Sequence, residues 1–421
     1  MKRKKTFFTW LIGAICFSSA MAQSLTIEEC QEMARSHYPA IAQYDIIAQS
    51  AKYNLKNANT AYFPQLSLTA QATYQTEVPE VPISLPNVEI PVPDKDQYRV
   101  VAELNQVIWD GGQTAARKAQ IIANAEVEKH KIETESYALR ERVNGVFFGI
   151  LLLKEQLQQQ SVLEKELQRN YDKVENYINN GVANEADLGA VKVQQLKTRQ
   201  QRAQMESALK AYLKTLSALT GTEIDENTTF VKPTLETLLP SPAIHRPELQ
   251  LFNAQHSFID SQTKVLRAKN LPTIGAFAQG GYGKPGLNLF SNDFSPYFIG
   301  GVRLSWNISN LYRYKNEKRN IDLQKQLVDS KRETFLYNIN AQIPKQQLEI
   351  EKYRSIMQDD SEIIRNQQLI KTAAEAKVEN GTMTVADLLG EINALELAKQ
   401  AKSLHEIQYL MSIYNLKHTT N

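Results

Sequence analysis

Residues 281–286 contain the closest match to a motif with known chemistry. Gly281-Tyr-Gly-Lys-Pro-Gly286 reads G-x-G-x-x-G, a spacing that lets the backbone cradle a dinucleotide phosphate where a strand leads into a helix. Here the segment ends a strand-like stretch, contains Pro285 and opens no helical pattern. We therefore interpret it as a flexible loop and predict no nucleotide site.

Titratable side chains form no catalytic or metal-binding pattern in the sequence. The histidines show no i, i+4 pairing that would aim two imidazoles at one metal ion. These histidines are His37, His130, His245, His256, His405 and His418. There is no G-x-S-x-G elbow and no plausible cysteine nucleophile, and carboxylate pairs such as Asp359-Asp360 are most simply solvated helix faces. We predict a protein that is not an enzyme and uses no cofactor.

Two acidic turns recur 200 residues apart. Residues 180–188 and 380–388 both read N-G-x-x-x-x-A-D-L. The Asn-Gly pair predicts a helix end, and Asn184 and Thr384 are predicted N-caps of the next helix. Asp187 and Asp387 then fall in a first turn, where the helix dipole favours a carboxylate by about 0.3–1 kcal/mol. The sequence thus predicts two helical hairpins with similar tips, and an internal two-fold repeat.

The N-terminal segment, residues 1–22, has the composition of a signal peptide. Four basic residues precede an apolar run over 7–17 and an Ala20-Met21-Ala22 cleavage site. The alternative, a membrane anchor, would need roughly 20 apolar residues. Cleavage would leave 44 basic and 46 acidic residues, a net charge of about −2, so the charge does not indicate a nucleic-acid partner. It would also leave Cys30 alone, without an intramolecular disulfide.

Two pairs of segments alternate with period two, at about 64–76 with 98–109 and 272–282 with 297–309. Such alternation predicts strands with one apolar and one polar face. The polar face is predicted to carry Gln71, Arg99, Glu103, Asn105, Arg303 and Asn307. A proline-rich loop joins the first pair. An ordinary β-sandwich would bury the apolar faces, and the alternation alone leaves that alternative open.

Long helical patterns flank these strands. Residues 113–179 contain a heptad seam without proline, equivalent to about 100 Å of helix. The matching run, 312–379, contains Pro344, so we expect a kink or short break near 340–344. Shorter helical runs cover 40–62, 184–219, 246–270 and 384–416. The predicted organisation is a first repeat at 23–221, an equatorial linker at 222–245 and a second repeat at 246–421.

Four amphipathic strands per chain are too few to form a closed β-barrel. With the apolar face outward they suit a membrane barrel, in which only closure satisfies every backbone group. Four strands cannot close, whereas twelve from three chains would leave a lumen. The predicted fold class is therefore mainly α with membrane β: a long coiled-coil barrel and four transmembrane strands per protomer, forming a twelve-stranded barrel in a homotrimer.

The order of these features resembles the TolC-type outer-membrane efflux channel family. The resemblance rests on the signal peptide, the duplicated strand pairs, the paired tips, Trp109-Asp-Gly-Gly112 and Arg246-Pro-Glu-Leu249, and it covers essentially the whole mature chain. It implies a trimer in the lipids of the outer membrane with a long periplasmic extension. It also implies passive conduction, a periplasmic adaptor at the tips, and an inner-membrane RND or ABC transporter or type I exporter behind it.

The resemblance also assigns roles to the tips. The implied adaptor-docking residues are Gly181, Val182, Asn184, Gly381, Thr382 and Thr384, and the implied periplasmic gate residues are Asp187, Asp387 and Glu391. The family's second acidic gate position falls on Gly390, with Glu391 one place on. Met383 stands where the best-studied pattern has an arginine, which leaves the salt-bridge latch open. A periplasmic adaptor or a structural coiled-coil protein of the envelope is the alternative function.

Overall fold

The protein is described here from a computed structural model covering residues 24–80, 82, 92–181, 183–234 and 243–421. The predicted signal peptide, Val182, much of the proline-rich loop and linker residues 235–242 lie outside the described residues. The chain is mainly helical with some sheet, which confirms that part of the predicted fold class. It divides into two compact units.

The sheet unit comprises Pro39–Ala138, Ala243–Ile343 and Thr419–Asn421. Its four antiparallel strands are β2 (Gln65–Tyr74), β3 (Asp96–Trp109), β5 (Thr273–Lys284) and β6 (Ser295–Ser305), in the order β2-β3-β5-β6. The two hairpins of the predicted repeats therefore pair through β3 and β5. A bulge between Val107 and Trp109 sets two residues of β3 against one of β5. It lies at the end of the sheet where β3 leads into a long helix, called here the helix-bearing end.

Helices α2 (Gln43–Asn59) and α5 (Pro247–Lys269) also belong to the sheet unit, together with the first parts of α3 (Gln113–Asn179) and α6 (Asn310–Glu379). Helix α5 begins at Pro247, whose missing N–H costs nothing in the first turn. Ile259 and Leu266 of α5 pack against Ile321 and Val328 of α6. None of the residues of α2 is buried within this protomer.

The helical unit comprises residues before 39, Leu139–Pro242 and Pro344–His418. It holds α1 (Ile27–His37), α4 (Glu185–Thr220), most of α7 (Val385–Thr420), and a parallel pair of short strands, β1 (Ser24–Leu25) and β4 (Thr229–Phe230). Its main core includes Phe147, Phe148, Leu216 and Ile407, all almost fully buried. Each unit contains residues of both predicted repeats, so the repeat boundaries stay a prediction.

Two local expectations are wrong. Of the predicted kink or short break near 340–344, the short break is absent, because helix α6 continues from Asn310 to Glu379 through Pro344. The kink stays a prediction. An interior proline lacks the N–H donor and crowds the carbonyl four residues earlier, but it does not end this 70-residue helix. Strand β6 ends at Ser305 rather than near 309. The Trp306 indole donates to the Asn270 carbonyl at 3.0 Å, and Asn307 begins the turn into α6.

Candidate functional site

One face of the four-stranded sheet gathers the polar side chains. Gln71 lies opposite Arg99 in the register, and Arg99 Nη2 donates to Gln71 Oε1 at 2.9 Å. Asn105 Nδ2 donates to Glu103 Oε1 at 3.0 Å, and Arg303 Nη1 lies 3.6 Å from the same oxygen. Five of the six predicted polar-face residues therefore share one surface, called here the polar face. Asn307 does not, because the strand ends before it.

The opposite face is apolar and exposed in the protomer. Leu66 pairs with Leu104, and Ile274 with Leu304. Leu66, Leu68 and Val302 are 75%, 74% and 71% exposed, which is unusual for neighbouring large apolar side chains on a folded chain. This surface is called here the apolar face. Its exposure indicates that something outside the protomer covers it.

Exposed aromatic residues border the sheet at both ends. Near the helix-bearing end they are Tyr62, Phe63, Trp109, Trp306 and Tyr312, and at the other end they are Tyr74, Tyr98, Tyr282, Phe294 and Phe298. Phe294 stacks on Tyr282 with 5.6 Å between ring centroids and lies 6.2 Å from Tyr98. Aromatic rings at two levels around an apolar band are typical of proteins that cross a lipid bilayer.

Asp110 fixes the junction where β3 passes into α3. Its carboxylate accepts hydrogen bonds from the Thr114 amide at 2.6 Å, the Gly112 amide at 2.8 Å and the Tyr62 hydroxyl at 2.8 Å. Burial opposes ionisation of this group, but these donors hold the pKa of Asp110 below its ordinary value. Gly111 has a φ of +66°, and a Cβ there would lie 2.8 Å from Leu271 Cβ. The W-D-G-G signature is thus a strand-to-helix joint.

The hairpin tips are closed by reciprocal capping. At the first tip, Asn184 Oδ1 accepts from the Asp187 amide and Asp187 Oδ2 accepts from the Asn184 amide, both at 3.1 Å. At the second tip, Thr384 Oγ1 accepts from the Asp387 amide at 3.1 Å, and the same hydroxyl lies 2.6 Å from Asp387 Oδ2, to which it donates. Each aspartate carboxylate therefore stabilises its own helix start in the protomer.

Glycines and neighbouring residues complete the tips. Gly181 and Gly381 adopt φ of +75° and +67°, the left-handed conformation that ends a helix. Met383 packs into the apolar cluster behind the tips, with Val191 and Leu388, so it contributes apolar contact where an arginine would contribute charge. Glu391 accepts from Gln367 Nε2 at 2.8 Å. The gating and docking roles of the tip residues stay predictions, and Val182 lies outside the described residues.

A buried charge cluster further along the helices was missed by sequence reasoning. Lys371 of α6 pairs with Glu166 of α3, with both side chains 11% exposed, and lies 3.5 Å from Glu375. Burial raises the pKa of Glu396 on α7, and the charge of Glu166 adds to that effect. Three separate helices supply these groups, so no local sequence pattern brings them together.

The remaining motifs have local structural roles. Gly281 and Gly283 lie within β5, and the segment leads through a loop to β6, without the helix that a phosphate cradle requires. Across the described ranges, no three His, Cys, Asp or Glu side chains are grouped as a metal site. Searching those same residues also finds no helix with an apolar stretch long enough to cross a membrane.

The fold is that of several solved outer-membrane proteins. CusC, solved in a study of folding and transmembrane channel formation, is 13% identical with a TM-score of 0.70, over 94% of this chain and 92% of that one. VceC, an outer membrane protein of Vibrio cholerae, is 14% identical with a TM-score of 0.67, over 94% and 95%. The Campylobacter jejuni CmeC outer membrane channel is 13% identical with a TM-score of 0.65, over 100% and 94%.

A family comparison identifies the class more closely. The model described as outer membrane efflux protein matches residues 31–222. This match, together with the similar structures, confirms the resemblance to the TolC-type outer-membrane efflux channel family. The family and the similar structures are those of channels rather than enzymes. No curated protein sequence matches the chain significantly.

Proposed function

We propose that this chain is the outer-membrane channel of a tripartite efflux pump or a type I secretion system. The observation that carries the proposal is the two-faced sheet: an exposed apolar face bordered by aromatic residues, opposite a face with hydrogen-bonded charges. In a bilayer the apolar face would meet lipid, and the polar face would line water. The family resemblance supports the same assignment.

Closure of the sheet requires other copies. Within the protomer β2 and β6 are edge strands, and unpaired backbone groups cost several kcal/mol each in lipid. Pairing β6 of one copy with β2 of the next satisfies both edges, and three copies give twelve strands around a lumen. The proposed assembly is therefore a homotrimer in the outer membrane, with its helices extending into the periplasm.

Transport through this assembly is passive. The polar face keeps the lumen wet, and access is controlled at the hairpin tips, where Asp187, Asp387 and Glu391 are the proposed gate residues. A periplasmic adaptor docks at Gly181, Val182, Asn184, Gly381, Thr382 and Thr384. An inner-membrane RND or ABC transporter acts through that adaptor. Opening is a shift between two packings of the same helices.

Adjacent residues on β2 provide a direct test. Leu68 and Thr69 are both exposed in the protomer but lie on opposite faces of the sheet. A lysine facing lipid near the middle of a bilayer costs about 2–4 kcal/mol, whereas one facing the lumen is tolerated. We expect Leu68→Lys to reduce trimer in the outer-membrane fraction severely, and Thr69→Lys to leave it near the wild-type level. Equal effects of the two substitutions would contradict the proposal.

Assembly and conduction are measured on the same preparations. Chemical crosslinking of detergent-extracted protein should give a series that ends at a trimer, and planar bilayers should show single-channel conductance. Monomers or dimers only, or recovery as a soluble protein without detergent, would instead favour a periplasmic adaptor or a structural coiled-coil protein.

A further inference from the structure

The charges on the polar face of the sheet do not balance. Within the four strands, all of which are described, the residues of this face that carry charge are Arg99, Glu103 and Arg303. Their register partners on this face are neutral, including Gln71 opposite Arg99 and Gly275 opposite Arg303. Each copy therefore presents two guanidinium groups and one carboxylate, a net charge of +1.

The two arginines differ in what they contact. Arg303 lies 3.6 Å from Glu103 Oε1, and its guanidinium sits 4.6 Å from the Phe277 ring centroid. The nearby carboxylate of Glu103 therefore offsets much of the positive charge of Arg303. Arg99 instead donates to the neutral amide oxygen of Gln71 at 2.9 Å, which orients the guanidinium without cancelling its charge. Arg99 is thus the main source of the excess positive charge.

Lys284, at the far end of the sheet, does not add to this excess. Lys284, at the end of β5, pairs with Asp94 at 2.5 Å. The Asp94 amide also donates to Asn292 Oδ1 at 3.0 Å, and Asn292 Nδ2 donates to the Val92 carbonyl at 2.8 Å. This charged pair is neutral as a whole, and its acid is held beside its own lysine.

We propose that the sheet section of the channel favours anionic solutes and that Arg99 determines this preference. The inference rests on the proposed function, because it requires the polar face to line the lumen. In a trimer three Arg99 side chains would face the pore at one height. Their field reaches about 10 Å at 0.1 M salt and about 30 Å at 0.01 M, so the preference should strengthen as salt is lowered.

Reversal potentials across a KCl gradient measure this preference. For Arg99→Gln we expect the chloride-to-potassium permeability ratio to fall about twofold at low salt. Glu103→Gln should raise the ratio, because it removes the negative charge that offsets the guanidinium of Arg303. Arg99→Lys keeps the charge and should keep the ratio of the wild type. All variants share the same hairpin tips, so differences among them report on the sheet.

Thiol labelling provides a second measurement at the same position. Cys30 is fully buried, so an Arg99→Cys variant offers one accessible thiol in the mature chain. A positively charged thiosulfonate added from the outer side should restore the anion preference, and a negatively charged one should reverse it. The wild-type channel treated with the same reagents is the control.

The possible failures are distinguishable. If the protein neither forms a trimer in the outer membrane nor conducts, the proposed function itself is wrong, and this inference is lost with it. If the channel conducts but Arg99→Gln, Glu103→Gln and labelled Arg99→Cys all retain the wild-type permeability ratio, the channel assignment stands and the role of Arg99 is wrong.

Discussion

The two hairpin tips have closely related sequences but differ in how they are packed. Both use an Asx or Thr cap with an aspartate three residues later. In the second tip, however, Val385 and Leu389 are buried, whereas the equivalent residues of the first tip are Glu185 and Gly189, both exposed. The two tips share the turn, but the second helix start is more deeply buried in the protomer's own apolar cluster than the first.

Buried charge follows the same division. Lys371 and Glu396 are buried, but their equivalents 200 residues earlier are Tyr171, which is half-buried, and Leu196, which is 46% exposed. The second hairpin thus carries the more deeply buried helix start and most of the buried ionic cluster. We expect it to be the more stable of the two hairpins, and the first to be the one whose contacts depend on other chains.

The largest expected effect comes from Lys371, which joins α6 of the second hairpin to Glu166 on α3 of the first. Lys371→Met leaves Glu166 buried without its cation, and breaking a buried pair from one side costs about 3–5 kcal/mol. We expect the free energy of unfolding of the detergent-solubilised protein, from a urea titration, to fall by this amount. Lys371→Arg retains the charge and should cost far less; equal effects of the two would show that the pairing is unimportant.

Leucines at equivalent positions test the packing difference directly. Leu388 is 6% exposed, whereas Leu188 is half-buried. Leu388→Ala removes a buried side chain and should cost about 3 kcal/mol, while Leu188→Ala should cost roughly 1 kcal/mol in the isolated protomer fold. Hydrogen exchange of the amides near each tip reads out the two losses separately. A larger loss for Leu188 would reverse the proposed order of stability.

The sequence is most informative about helix positions and turn chemistry. A heptad seam predicts a helix at 113–179, and α3 spans Gln113–Asn179. Asn184 and Thr384 were recognisable as caps because their residue type and spacing describe a local interaction. The alternation of β3 likewise predicted which side chains share the polar face, since strand geometry alone decides it.

Features that depend on distant contacts were not predictable in the same way. The end of β6 is set by the Trp306 indole bonding to Asn270, 36 residues earlier. The unequal burial of the tips depends on how four helices meet, although Val385 in place of Glu185 is a visible signal in retrospect. Pro344 shows the opposite case: the local rule allows a proline to break a helix, yet this long helix continues through it.

Cap removal should affect the two tips equally, in contrast to the leucine pair. Asn184→Ala and Thr384→Ala each remove the acceptor for an aspartate amide, at a cost of about 1 kcal/mol. Faster exchange of the Asp187 and Asp387 amides, respectively, would be the direct readout. A much larger effect of Thr384→Ala would contradict this expectation. It would show that the cap of the second tip also stabilises the apolar cluster behind it.

Glu396 gives the smallest effect, visible as pH dependence in the second hairpin. Burial raises its pKa in the folded protein, with Gln400 and Lys399 partly opposing this shift. Because the folded state holds the proton more tightly, the contribution of protonated Glu396 to the free energy of unfolding is fully present below the unfolded pKa of roughly 4.3. It is lost as pH rises through the pKa of the folded state.

The Glu396→Gln variant tests this, because its side chain cannot ionise but can still accept from Gln400. It should therefore be more stable than the wild type at neutral pH, with the difference shrinking on acidification. A urea titration series at several pH values measures this, and Leu196→Gln, at the equivalent position of the first hairpin, should show no such trend.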